Sequence, residues 1–201
     1  MSELAERSHS ELENEAHRAI GRYIVEFSLL VAQMRSCIEY LLRTGDPMIA
    51  RLALGGADAW QIATTFFAVC ERQLDLDDEE KAIAARFRAE VETTCSERND
   101  IAHGDWHLDL EDARLQRTKP GRKAGAWLER VRPVSEIDAM ADRVSVLARS
   151  VAEFGWLCLG IHPLNEVRDT PVRVRDIYRF SNRRIYRTGR YANDLPCDQD
   201  D

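Results

Sequence analysis

The chain has 201 residues, a net charge of −7 and a hydrophobic fraction of 44%, enough apolar material for one globular core with a tail. No apolar run approaches the roughly 20 residues of a membrane-crossing helix, and Glu3 and Glu6 near the start are the wrong chemistry for a secretion leader, so a cytoplasmic protein with no membrane partner is expected. The acidity argues against a whole surface that adheres to nucleic acid, and Cys37, Cys70, Cys95, Cys158 and Cys197, odd in number and nowhere in a Cys-x-x-Cys pair, argue against a disulfide framework or a zinc ribbon.

Taken in chain order, Ile20, Tyr23, Ile24, Phe27, Leu30, Val31, Met34, Ile38 and Leu41 recur at three- and four-residue intervals, which predicts a long amphipathic helix from Ser10 to about Arg43. Thr44-Gly45-Asp46-Pro47 is a stop signal, a short helix is expected over Pro47 to Leu54, and Gly55-Gly56 breaks the chain. Asp58 then caps a second helix that runs to about Leu74. The acids Asp77 to Glu80 suit the positive end of a third, whose stripe of Ile83, Phe87, Val91 and Cys95 leads to Gly104 as the expected terminator.

Past Gly104, Trp106, Leu108 and Leu110 alternate with Asp105, His107 and Asp109, the period of a half-buried strand. Pro120-Gly121 and Gly125 allow a return strand over 126–132, which makes a hairpin or flap. Ser135 with Asp138 resembles a capping box and opens a fourth helix that ends near Gly160 and Pro163. The expected fold is all-α, an antiparallel four-helix bundle over 1–165 with a small β-hairpin or flap at about 105–132, followed by an Arg-rich tail over 166–201 that includes a short helix at 171–187.

Phosphate-cradling Gly loops, nucleophile elbows, His-Glu-x-x-His and calcium loops are all missing from the sequence. What stands out is Arg98-Asn99-Asp100-Ile101-Ala102-His103-Gly104, a polar cluster at the end of an otherwise apolar helix. At about 100° per residue Asn99 and His103 share a helix face, and the long Arg98 side chain reaches across to them. An imidazole, whose ordinary pKa is about 6.5, exchanges protons near neutrality, and a guanidinium presents a planar fork to phosphate oxygens. The combination suits phosphodiester cleavage without a metal, in which His103 takes the proton of a ribose 2'-hydroxyl and Arg98 stabilises charge on the phosphoryl group. That nucleophile restricts the substrate to RNA.

The segment resembles the signature of HEPN domains, an Arg followed by four to six residues and a His, with a polar residue after the Arg. The resemblance covers the third helix closely and the four-helix layout of residues 10 to 160 more loosely. It implies a metal-independent endoribonuclease that needs no cofactor and works as a homodimer, with Arg98, Asn99 and His103 of both protomers forming one composite site. It implies products with a 2',3'-cyclic phosphate and a 5'-hydroxyl, and a role as a toxin or antiphage effector with an antitoxin or regulatory protein as partner. Some relatives are silenced by modification of a Tyr two residues after the His; Asp105 stands there in this chain, so that mode does not carry over. Some relatives are noncatalytic RNA- or protein-binding scaffolds, and that is the competing expectation.

His103, Asp105, His107 and Asp109 also have a metal-like spacing, but their alternation with Trp106, Leu108 and Leu110 reads better as the wet face of a strand, so no metal site is expected. Asp105 and His107 are expected to line the entrance to the cleft. Residues 167–191 hold eight arginines against two acids, interleaved with Tyr178, Phe180, Tyr186 and Tyr191. Arg183 and Arg184 are expected to contact the RNA substrate, although a helix packed through Val174, Ile177, Tyr178 and Ile185 accounts for the same pattern.

Overall fold

The computed structural model describes residues 9–42, 48, 52, 54–73, 76–109, 114–120, 127–160, 173–181 and 184–187. It is mostly helical, with one small three-stranded antiparallel sheet and one two-stranded hairpin. Helices α1 (His9–Leu41), α2 (Ala59–Gln73) and α3 (Asp78–Ala102) come first. Strands β1 (Asp105–Asp109), β2 (Arg114–Pro120) and β3 (Trp127–Pro133) follow, then α4 (Val134–Cys158), the single-turn α5 (Val174–Ile177), β4 (Tyr178–Ser181) and β5 (Arg184–Arg187). No helix among the described residues is long and apolar enough to cross a membrane.

The helix starts follow from their caps. Asp58 accepts the amide of Gln61 at 2.8 Å while the Gln61 side chain accepts the amide of Asp58 at 2.9 Å, and Asp77 and Glu80 make the same reciprocal pair at 3.0 and 3.1 Å. Each pair satisfies two backbone donors that a bare helix end would leave open. Gly160 ends the turn after α4 with φ of +67°, the left-handed region that only glycine enters cheaply, and its amide reaches the Leu157 carbonyl at 2.9 Å. The stop at 44–47 lies outside the described residues, as does most of the short helix expected at 47–54, of which Met48, Leu52 and Leu54 are helical.

Three expectations are corrected. The return strand over 126–132 does not pair with β1; β2 lies between them, pairing Leu108 with Leu115 on one side and Leu115 with Arg132 on the other. The β2 sequence, Arg114 to Pro120, sets buried Leu115 among polar residues and so carries no apolar alternation to reveal it. The third helix stops where Gly104 was expected to end it: α3 ends at Ala102, and His103 forms the turn that leads to Gly104. Ser135 and Asp138 lie inside α4, which begins at Val134, and Asp138 faces Arg18 and Arg22 of α1, each at 3.6 Å. The helix expected over 171–187 is one turn followed by a hairpin, because from Tyr178 the apolar residues change from helical spacing to alternation.

The chain forms two compact units, Met1–Ser28 with Thr94–Ser145, and Leu29–Thr93 with Val146–Asp201. In the first, Leu12, Ala16, Tyr23 and Phe27 of α1, Cys95 and Ile101 of α3, and Ile137, Met140 and Val144 of α4 are buried. The Tyr23 hydroxyl donates to the Thr94 carbonyl at 3.2 Å, and burial pushes its ionisation well above the usual phenol range. In the second, Phe66 and Phe67 meet edge to face at 5.0 Å, Phe87 lies 5.7 Å from Phe154, and Tyr178 stands edge-on to Phe87 at 5.2 Å.

Candidate functional site

The candidate cluster belongs to the first unit and is built on the last turn of α3. The apolar stripe of that helix holds Cys95 and Ile101 in the core, which leaves Asn99 and His103 exposed and Arg98 half-buried at the margin. The backbone keeps its helical hydrogen bond as far as His103, whose amide donates to the Asn99 carbonyl at 3.2 Å. One residue on, the chain leaves the helix for β1, and the indole of Trp106 donates to the Ile101 carbonyl at 2.8 Å. That bond satisfies an orphan carbonyl of the helix end and ties the strand to the turn that carries His103.

The Arg98 guanidinium is the centre of the cluster. One nitrogen, Nη1, donates to Asn99 Oδ1 at 3.1 Å and lies 3.3 Å from His103 Nε2. A guanidinium only donates, so this second contact is a hydrogen bond when Nε2 offers its lone pair and the ring proton sits on Nδ1. The guanidinium carbon lies 5.8 Å from the centroid of the Phe27 ring, a cation over an aromatic face. Its Nε is buried and has no hydrogen-bond partner among the described residues. Glu97, the neighbouring acid, is engaged elsewhere, 3.6 Å from Arg143 of α4.

The three residues expected to do the chemistry are therefore in mutual reach, on the side of the helix end where Asn99 and His103 meet solvent. His107 is exposed on β1 in register with Gln116, and Asp105 opens the same strand opposite Thr118. Arg184 opens β5 in register with Ser181 and belongs to the second unit, while Arg183 lies outside the described residues. Among the described residues no group of three or more His, Cys, Asp and Glu is arranged to hold a metal ion.

No protein-family model matches the chain, and neither a curated protein nor a solved structure does.

Two members of the cluster escaped the sequence reading. Phe27 was legible as a core residue of α1 but not as the floor beneath Arg98, because the contact joins residues 71 positions apart and follows no local spacing. Trp106 read only as the apolar phase of a strand; an indole four residues past a helix end, with a donor to place, is the signal that could have shown its capping role.

Proposed function

We propose that the protein is a HEPN-like, metal-independent endoribonuclease, a four-helix bundle that dimerises so that Arg98, Asn99 and His103 of two protomers surround one scissile phosphate. The observation that carries this reading is the single Arg98 nitrogen shared between Asn99 Oδ1 and His103 Nε2, with the imidazole and the amide exposed. The pair is a base held in its proton-accepting tautomer by a cation whose preferred partner is a phosphate.

When an RNA phosphate takes the Arg98 fork, it displaces the guanidinium from Nε2 and frees that lone pair beside the ribose. His103 of one protomer then removes the 2'-hydroxyl proton as the 2'-oxygen bonds to phosphorus. The bond from phosphorus to the 5'-oxygen breaks, and protonated His103 of the partner protomer supplies the proton that the leaving oxygen needs. Products are a 2',3'-cyclic phosphate and a 5'-hydroxyl, and atoms and charges balance without a metal. Asn99 orients the guanidinium by accepting from it.

A noncatalytic HEPN-like RNA- or protein-binding scaffold is the second reading, favoured by one feature: Arg98 Nη1 is engaged by Asn99 and His103 and the guanidinium is stacked on Phe27. The test is to incubate the purified protein with mixed RNA in EDTA, identify the new ends, and repeat with a single 2'-deoxynucleotide placed at a mapped cut. Cyclic phosphate ends and loss of the cut at the deoxy position support the nuclease. Cleavage that needs added metal, or that persists at the deoxy position, contradicts it, and intact RNA throughout leaves the scaffold.

A further inference from the structure

Among the described residues of the second unit, Cys37 of α1, Cys70 of α2 and Cys158 of α4 are free and buried, and the Arg98 cluster uses none of them. They come together because α4 carries no side chain at Gly155. A Cβ there would lie 2.5 Å from Cys37 Sγ and 3.1 Å from a Phe66 ring carbon, so α4 closes on α1 and α2 at that point. The neighbouring Phe154 meets Phe66 with ring centroids 6.3 Å apart.

The next turn brings two sulfurs into contact. Cys70 follows Phe66 by four residues and Cys158 follows Gly155 by three, so each stays on the contact face, one turn nearer the C-terminal end of its helix. The Cys158 thiol is hydrogen-bonded to Cys70, and that bond together with burial pushes its ionisation above the usual thiol range. Cys37 instead lies against the bare backbone of Gly155. Both helices also finish here, α4 at Cys158 itself and α2 at Gln73, three residues past Cys70. Helix ends open more readily than helix centres, and Cys158 is 7% exposed where Cys70 is fully buried.

We propose that Cys70 and Cys158 are a redox site, two thiols that close into a reversible disulfide when a low-molecular-weight disulfide such as oxidised glutathione is in excess. Short side chains on closely packed helices, sulfur against sulfur, suit the narrow geometry of that bond. When the end of α4 frays, Cys158 loses its proton to solvent and attacks one sulfur of the reagent, whose other half leaves as a thiolate. Cys70 then gives up its proton and attacks the Cys158 sulfur of the mixed disulfide, and the second half leaves. One reagent disulfide becomes two thiols as two protein thiols become one disulfide, and the two protons from the protein end on the two released thiols. The bond staples the ends of α2 and α4 and leaves Cys37 reduced.

The test uses the full chain, reduced and then equilibrated with oxidised glutathione at mildly alkaline pH without denaturant. After an acid quench the protein is unfolded, alkylated with iodoacetamide and mapped without reduction by mass spectrometry. One linked pair is expected, joining the Cys70 and Cys158 peptides, with Cys37 and Cys95 recovered as alkylated thiols and the far-UV circular dichroism unchanged. Closing a loop between residues 88 positions apart should raise the Tm by roughly 10 °C, and dithiothreitol should reverse the rise. Cys37→Ala should form the same bond with the same rise, and Cys70→Ala and Cys158→Ala should each lose both. Linkage of Cys37 to either partner, a glutathione adduct on Cys158 that never resolves, thiols that stay reduced throughout, or a bond that forms only in denaturant would each overturn the proposal.

Discussion

Replacing Arg173 by Ala strands a carboxylate. Glu80 is 1% exposed and accepts the Asp77 amide together with Nε and Nη2 of Arg173. Burial pushes its carboxyl up, but the Arg173 hydrogen bonds, the Asp77 amide and the Arg173 charge outweigh burial and hold it below its ordinary value. Breaking a fully buried pair costs about 3–5 kcal/mol; because the Arg173 side chain is 42% exposed and partly screened by water, about 2 kcal/mol is expected here. Urea denaturation at neutral pH measures it. A depressed folded-state carboxyl gives stability that is present above the unfolded value of about 4.3 and is lost as pH falls through the folded value. The gap between wild type and Arg173→Ala should therefore narrow as the pH falls from 7 toward 3. It should also shrink on a Glu80→Gln background, where no charge is left to strand. An equal loss in both backgrounds, or a gap that does not change with pH, would refute the reasoning.

Gly155→Ala sets helix propensity, a gain of about 1 kcal/mol, against a Cβ built 2.5 Å from Cys37 Sγ and 3.1 Å from a Phe66 ring carbon. The clash should win, with a net loss of about 1–2 kcal/mol in thermal denaturation that Cys37→Ala partly restores. Burial pushes the Cys37 thiol up to about 12, and its neighbour Cys70 adds to the shift, so alkylation of Cys37 at neutral pH, followed by mass spectrometry, should be negligible until the protein unfolds. Rapid labelling of native protein at that position would contradict the packing. Trp106→Phe removes the donor to the Ile101 carbonyl, should cost about 1 kcal/mol, and should slow RNA cleavage more than it weakens RNA binding, because the turn carrying His103 loosens. A variant as stable and as fast as wild type would remove the capping bond from the account.

The helices were legible because their signals are local. The stripe through Tyr23, Phe27, Leu30 and Met34 is one face of one helix, and Asp58 and Asp77 each stand three residues before the Gln61 and Glu80 that complete their caps. The proximity of Arg98, Asn99 and His103 was legible for the same reason, since helical geometry alone brings them within reach. The middle strand was not, because its sequence sets Leu115, which is buried, among polar residues, and its pairing on both sides follows no local spacing. In the arm, Val174, Ile177 and Tyr178 fit a helical stripe, and all three are buried as that reading required, yet the backbone turns extended at Tyr178 with φ −119° and ψ 146°. There the β-favouring run of Tyr178, Phe180, Ile185 and Tyr186 prevails over a pattern too short to hold a second helical turn.

In the proposed mechanism Arg98 and His103 act directly on RNA. The most direct measurement is the cleavage rate of one defined RNA in EDTA by wild type and by His103→Ala, with thermal denaturation establishing that both are equally folded. Loss of the acid/base group should slow cleavage by roughly 10²–10⁴-fold while the exposed position leaves stability unchanged. Equal rates from the two proteins would contradict the account.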